Sequence, residues 1–278
     1  MSFMDEQLLK FKNMIEQAIV TGGSRGKESV IRSSALINLI HDVVKKELIN
    51  EGVHADNIFP PFGKSKPEIK MAGFLKQKNQ DVCVLPANID RKPMIIDWGP
   101  LRFEKKRDPY GLEFTENSLI INVRSQMSSL AKNSDTLFER TFAEAQNLHM
   151  RCKNAVLGEV YLIPAYEYDD ILVSQNCVGF KSSPTNIEKY ISFFDSINHR
   201  SVCGADYEYE RCALLIVDFN RPQPKLYQDS DQLRKDGLIS SSFEIDYQTL
   251  AFDSFAGDIL KIYASRHNIN NLRVSFLQ

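Results

Sequence analysis

Residues 118–150, SLIINVRSQMSSLAKNSDTLFERTFAEAQNLHM, run from an extended segment straight into an amphipathic helix, and this stretch limits the possible folds more than any other. Leu119, Ile121 and Val123 alternate with Ile120, Asn122 and Arg124. That period belongs to a strand with one apolar face, whose other face turns polar as the strand ends. Ser134 and Asp135 offer N-cap oxygens, and Leu137, Phe138, Thr141, Phe142, Ala145 and Leu148 recur at helical spacing. A further apolar run, Val156 to Pro164, predicts a second buried strand. Strand, helix and strand in this order close as a parallel pair, which places the chain in the α/β class. The same geometry draws Asn122, Arg124, Gln126 and Glu139 towards one spot where the first strand stops.

Composition narrows the partners less than charge distribution does. The 278 residues are 43% hydrophobic and 25% charged, which suits a globular chain and excludes a mainly disordered one. Cys212 to Val217 is the longest apolar run, too short to span a bilayer, and MSFMDEQLLKFK reads as no signal peptide. Five cysteines without CxxC spacing predict neither a disulfide framework nor a zinc site, in keeping with a reducing cytoplasm. No two of the five histidines sit at ligand spacing. The net charge of -2 hides a segregation: residues 62–107 hold eleven basic against five acidic residues, and the remainder is acidic. A one-sided nucleic-acid binder needs such a segment, although a solvated hairpin also carries one.

Along the chain, Met4 to Val20 predicts a helix, and Thr21 to Lys27 a glycine-rich loop that lacks the spacing of a nucleotide-binding loop. Arg25 and Lys27 in that loop are candidate contacts to a nucleic-acid backbone. Ser29 to Asn50 predicts a core-packing helix with Glu28 at its start. Lys66 to Lys76 leads into a hairpin. Trp98 and Tyr110 then lie among basic residues in a loop broken by prolines and glycines, an interleaving that suits packing against nucleotides. Downstream, Thr185 and Glu188 form a capping box for a helix to Asn198. Tyr209 to Phe219 predicts a strand, Asp246 to His267 a helix, and Asn271 to Leu277 an alternating tail.

Asp81 heads the run Asp81-Val82-Cys83-Val84-Leu85-Pro86, a strand upstream of the central unit. Gln80-Asp81-Val82, the triplet Asn122-Val123-Arg124 and Glu139 together resemble the motif of the PD-(D/E)xK nucleases, and within them the type II restriction endonucleases. In that family an Asp opens one strand of a hairpin, and a neighbouring strand carries an acidic or polar residue two before a Lys. A helix follows, and members that read sites containing CCGG move the second acid onto it. The resemblance, over about residues 28–169, implies a restriction-endonuclease-like mixed central sheet flanked by helices. It implies one nuclease domain over 1–278, with N-terminal helices to about 60, a catalytic core over about 66–170, and recognition and dimerisation elements over about 171–278.

By the same resemblance, the activity is Mg²⁺-dependent hydrolysis at a specific site in double-stranded DNA, by a cytoplasmic homodimer of a restriction-modification system. Asp81 and Glu139 then give the hard oxygen ligands that Mg²⁺ prefers, with Glu28 a further candidate ligand. Arg124 stands where the family carries Lys; a guanidinium stabilises developing charge but does not act as a base. Lys132 or Lys78 replaces the missing lysine, or Gln126 orients the water. Lys64, Lys66, Lys70, Lys76, Lys78 and Lys132 join Arg25 and Lys27 as DNA contacts. Glu68-Ile69-Lys70 is an alternative catalytic triplet, with the order of its parts reversed. Met127-Ser128-Ser129-Leu130 occupies the place of the Arg-x-Asp-Arg recognition run, so the target sequence stays open. Two rival readings remain: a DNA-binding protein of the same fold that does not cleave, and a small-molecule α/β enzyme using Glu167 and Asp169.

Overall fold

The computed structural model describes residues 1–275. Helices α1 (Phe3–Arg32) and α2 (Ser34–Asn50) open the chain. Ser2 and Asp5 cap α1 reciprocally, and Leu8, Phe11, Ile15 and Ile19 form its buried stripe. The glycine-rich loop predicted over 21–27 is absent: the helix continues across it and kinks at Gly23, whose φ of 53° and ψ of -136° lie outside the helical range. Asn176 Nδ2 donates to the Val20 carbonyl beside that break.

Next come β1 (Ile58–Phe59), a hairpin of β2 (Ile69–Ala72) and β3 (Gln77–Gln80), then β4 (Val82–Val84). A second hairpin, β5 (Met94–Ile95) and β6 (Arg107–Asp108), encloses the one-turn helix α3 (Pro100–Phe103). Helix α4 (Leu112–Glu116) leads into β7 (Leu119–Ser125), α5 (Leu130–His149) and β8 (Val156–Pro164). The remainder is α6 (Asp170–Ser174), α7 (Ile187–Ser196), β9 (Arg211–Asp218), β10 (Lys225–Leu226), α8 (Ser230–Lys235) and α9 (Phe252–Arg266).

The chain is thus mixed α/β, with a six-stranded sheet in the order β1-β4-β7-β8-β9-β10. β4 runs antiparallel to both β1 and β7, whereas β7, β8 and β9 are parallel and β10 turns back against β9. Every residue of β8 and β9 is buried, as strands covered on both faces must be. On one face Leu119, Ile121, Val123 and Val160 pack with Ile15, Ile40, Val44 and Ile259 of the flanking helices. On the other, Ile120, Cys83, Leu157 and Tyr161 meet Ala145 and Leu148 of α5 and Tyr190, Ile191 and Phe194 of α7.

Several boundaries depart from expectation, each for a local reason. α5 starts at Leu130, ahead of Ser134 and Asp135, because the Glu167 carboxylate accepts from the amides of Ser129 and Leu130 at 3.0 and 3.2 Å. The predicted capping box of α7 does not form. Asn186 is its N-cap, while Thr185 donates to the Pro164 carbonyl and Glu188 accepts from the Ser240 amide. Within the tail expected to alternate over 271–277, Asn271 to Ser275 form a turn and loop, and Phe276 and Leu277 lie outside the described residues.

Buried charge ties the outer elements to the sheet. Glu210 is fully buried against Arg200 at 3.0 Å and Arg266 at 2.7 Å, and accepts from the Leu157 amide. Although burial favours its neutral form, His149, Arg266 and that amide hold its pKa down to about 2. Asp108 and Arg151, 2.8 Å apart, fasten the second hairpin to the end of α5. Among the described residues no helix is long and apolar enough to cross a membrane.

Candidate functional site

The polar end of β7 faces α5 rather than solvent. Asn122 and Arg124 share the face of Ile120, so both project into the layer beneath the helix, and Asn122 is buried. Asp81 lies just before β4. Its Oδ2 accepts from the Val123 amide at 3.0 Å, beyond the last paired residues Val82 and Ile121 of the β4–β7 ladder. Lys78 reaches in from β3, donating to Asn122 Oδ1 at 3.3 Å and to the Glu144 carboxylate of α5. Arg124 donates to Thr141 Oγ1 at 2.8 Å and to Glu144. Tyr209 completes the floor, with its hydroxyl 3.5 Å from Asn122 Nδ2 and donating to the Thr141 carbonyl at 2.9 Å.

Glu159 pairs in register with Asn122 across β7 and β8 and is fully buried. Arg124 Nε lies 3.5 Å from its Oε1, yet neither oxygen finds a hydrogen-bond donor among the described residues. Burial pushes this carboxyl up to about 7, against the pull of Arg124. Glu144 behaves oppositely: burial opposes its charge, but Arg124 and Lys78 hold it below the usual carboxylate range. For Arg124 burial favours the neutral form, and Glu159, Tyr209 and Glu144 outweigh it, so the guanidinium stays charged. Two cations and three carboxylates therefore meet at the mouth of β7, with Lys78, Arg124 and Glu144 partly open to solvent.

Of the residues expected at the site, the fold gathers Lys78, Asp81, Asn122 and Arg124. Glu139 is a correction. Five residues separate it from Glu144, about 140° around a helix, and it is exposed beside Phe138, Phe142, Ala143 and Gln146, away from the face that meets Arg124. Gln126 has its amide committed to protein groups: its Oε1 accepts from Tyr161 and Tyr190 at 3.2 and 2.7 Å, and it is buried under the start of α5. Glu28 is exposed in the last turns of α1 and paired with Arg32 at 3.2 Å, rather than at a helix start.

The predicted DNA contacts divide. Lys27 is buried, its amine 2.8 Å from Asp170, so it offers nothing to a surface ligand. Arg25, Lys64, Lys66, Lys70, Lys76 and Lys132 are exposed. In the alternative triplet, Glu68 accepts from Lys66 and from Asn79 at 2.8 Å each, and Lys70 points outward from the separate β2–β3 hairpin. Glu167 and Asp169 cap α5 and α6. Those roles account for the acidic cluster offered to a small-molecule enzyme.

Sequence reasoning missed Glu144 and Glu159. Helix phase held the first signal, because Thr141, Ala145 and Leu148 mark the inward face and Glu144 lies three residues from Thr141 along it. The second signal was a lone acid inside the apolar run Val156 to Pro164.

The oxygen donors here are of the type magnesium takes, and in the structure they are engaged by protein partners. Glu144 is engaged by two cations, Asp81 Oδ2 by an amide, and no group of three His, Cys, Asp or Glu among the described residues is placed to hold a metal. Comparison of the chain with models of known families, with curated proteins and with solved structures gave no match in any of the three.

Proposed function

We propose that this chain is a site-specific endonuclease acting on double-stranded DNA. The observation that carries the reading is the convergence of Lys78, Asp81, Arg124 and Glu144 at the end of β7, from three separate pieces of chain. The lysine missing from the Asn122-Val123-Arg124 triplet is supplied through space by Lys78. Element order supports the resemblance as well: an antiparallel β4–β7 pair with Asp81 at its mouth, then α5, then a parallel return in β8. The exposed lysines of the β2–β3 hairpin extend positive charge outward from Lys78.

In this reading a phosphate enters beside Lys78 and Arg124, whose fixed charges stabilise the negative charge that develops as the phosphodiester is attacked. Arg124 acts only through its charge, and Glu144 holds both cations in place until the phosphate arrives. Magnesium dependence, a homodimeric active form and a place in a cytoplasmic restriction-modification system belong to the proposal through the family resemblance, and no step is drawn through the ion.

A second reading, a DNA-binding protein that does not cleave, is favoured by one observation: Arg124, held between Glu144 and Glu159, stands where the resembling family has a lysine. Plasmid DNA incubated with the purified chain, with and without Mg²⁺, separates the two. Discrete fragments that require Mg²⁺ are expected; retardation without fragments would establish the binder, and neither effect would remove both.

A further inference from the structure

Leu75, Ile95, Trp98 and Phe103 stand exposed in the same segment that carries the segregated positive charge, Phe103 the most at 78%. They sit on two hairpins that touch one another. The rings of Phe74 and Trp98 lie 5.2 Å apart, and Gln77 Nε2 donates to the Arg107 carbonyl at 2.7 Å. Ala72, Ile96 and Leu101 form a small core behind them, so the apolar tips are held on a built support. Exposed Lys76, Arg102, Lys105 and Arg107 are interleaved with them, and the Arg102 guanidinium covers the Phe103 ring at 4.8 Å. A protein interface is depleted of lysine and concentrates apolar side chains at its centre, whereas here lysines and aromatics alternate. Alternating cations and solvent-exposed rings match a strand of nucleic acid, which presents a phosphate and a π-face at each step.

We propose that this face docks a DNA strand with unstacked bases, Phe103 and Trp98 serving as stacking platforms while the neighbouring cations follow the phosphates. The proposal rests on the DNA reading above and narrows it: the duplex is held in a locally opened form. Continuity with the site supports it. Asn147 and Arg151, on and just beyond the helix that carries Glu144, bind the Leu75 and Lys76 amides and the Ala72 carbonyl of the first hairpin.

The test measures fluorescence anisotropy of the full chain, without Mg²⁺, on a short labelled duplex with a central unpaired bubble and on the same duplex fully paired, over a salt series. The bubble probe is expected to bind about tenfold more tightly, and Phe103→Ala should abolish that preference while leaving the salt slope intact. Lys76→Gln with Lys105→Gln should weaken both probes and flatten the slope. Equal binding of the two probes, or a preference that survives Phe103→Ala, would overturn the stacking surface and leave the DNA reading standing. Absence of binding to either probe would remove both. Phosphatidylserine vesicles serve as a further arm: capture by vesicles that Phe103→Ala abolishes, with DNA binding untouched, would assign the face to a lipid surface instead.

Discussion

Arg124 is held by groups on two sides, Glu144 and Thr141 from the helix and Glu159 from the neighbouring strand, and this makes it a fixed charge rather than a proton carrier. In the proposed reaction the other fixed charge is Lys78, which Asn122 and Glu144 hold beside it. Lys78→Met is expected to lower cleavage by about 100-fold or more while DNA retardation persists, as for loss of one donor to a developing oxyanion. Lys132→Ala, which changes an exposed residue on the first turn of α5, is expected to leave the rate unchanged. Initial rates on plasmid measure both, and the reverse pattern would move the lysine role to Lys132. Glu159 gives a pH signature of its own. Unfolded, its carboxyl titrates near 4.5; folded, near 7, so between these values the folded chain holds the additional proton. Its contribution to stability is therefore full below the lower value and is lost as pH rises through the upper one, on the order of 3 kcal/mol in all. Urea unfolding followed across that range should show the decline in the natural chain and a flatter profile in Glu159→Gln. An identical decline in both would assign it to other groups.

At the scale of elements, the site depends on how the β2–β3 hairpin is fixed to α5. Gly73 approaches Asn147 so closely that a Cβ would fall 2.2 Å from its Nδ2, and Asn147 Oδ1 accepts from the Leu75 and Lys76 amides at 2.7 and 3.1 Å. Asn147→Ala is expected to cost about 2 kcal/mol, since two turn amides lose their acceptor. Hydrogen exchange at Leu75 and Lys76 should quicken while the amides of β8 stay protected; no change at those two amides would show the clamp to be dispensable. This contact was illegible in the sequence, where Gly73 and Asn147 are single letters far apart. The central strands were legible: Leu119 to Val123 and Val156 to Pro164 announce themselves by periodicity and by continuous apolar character, because burial on one or both faces writes itself into residue type. The start of α5 was not, because its cap comes from Glu167, beyond the following strand. Thr21 to Lys27 was misread for the opposite reason, since packing overrode the local preference of its glycines for a loop.

For the whole molecule, a formal charge of -2 conceals a basic segment on the two hairpins and an acidic remainder. That segregation could be read without coordinates. Its meaning could not, because only the fold sets Lys78 inside the site and leaves Lys64, Lys66, Lys70 and Lys76 exposed. Asp81 was legible as the head of a strand, and the choice between Glu139 and Glu144 turns on about 140° of helix phase, which Thr141, Ala145 and Leu148 mark in the sequence. That choice is also where the account is most exposed. Plasmid cleavage by Glu144→Ala and by Glu139→Ala, each checked for folding and for DNA retardation, measures it directly. Glu144→Ala should retain binding and lose cutting, and Glu139→Ala should cut as the natural chain does. Full cutting by Glu144→Ala together with loss in Glu139→Ala would contradict the site described here.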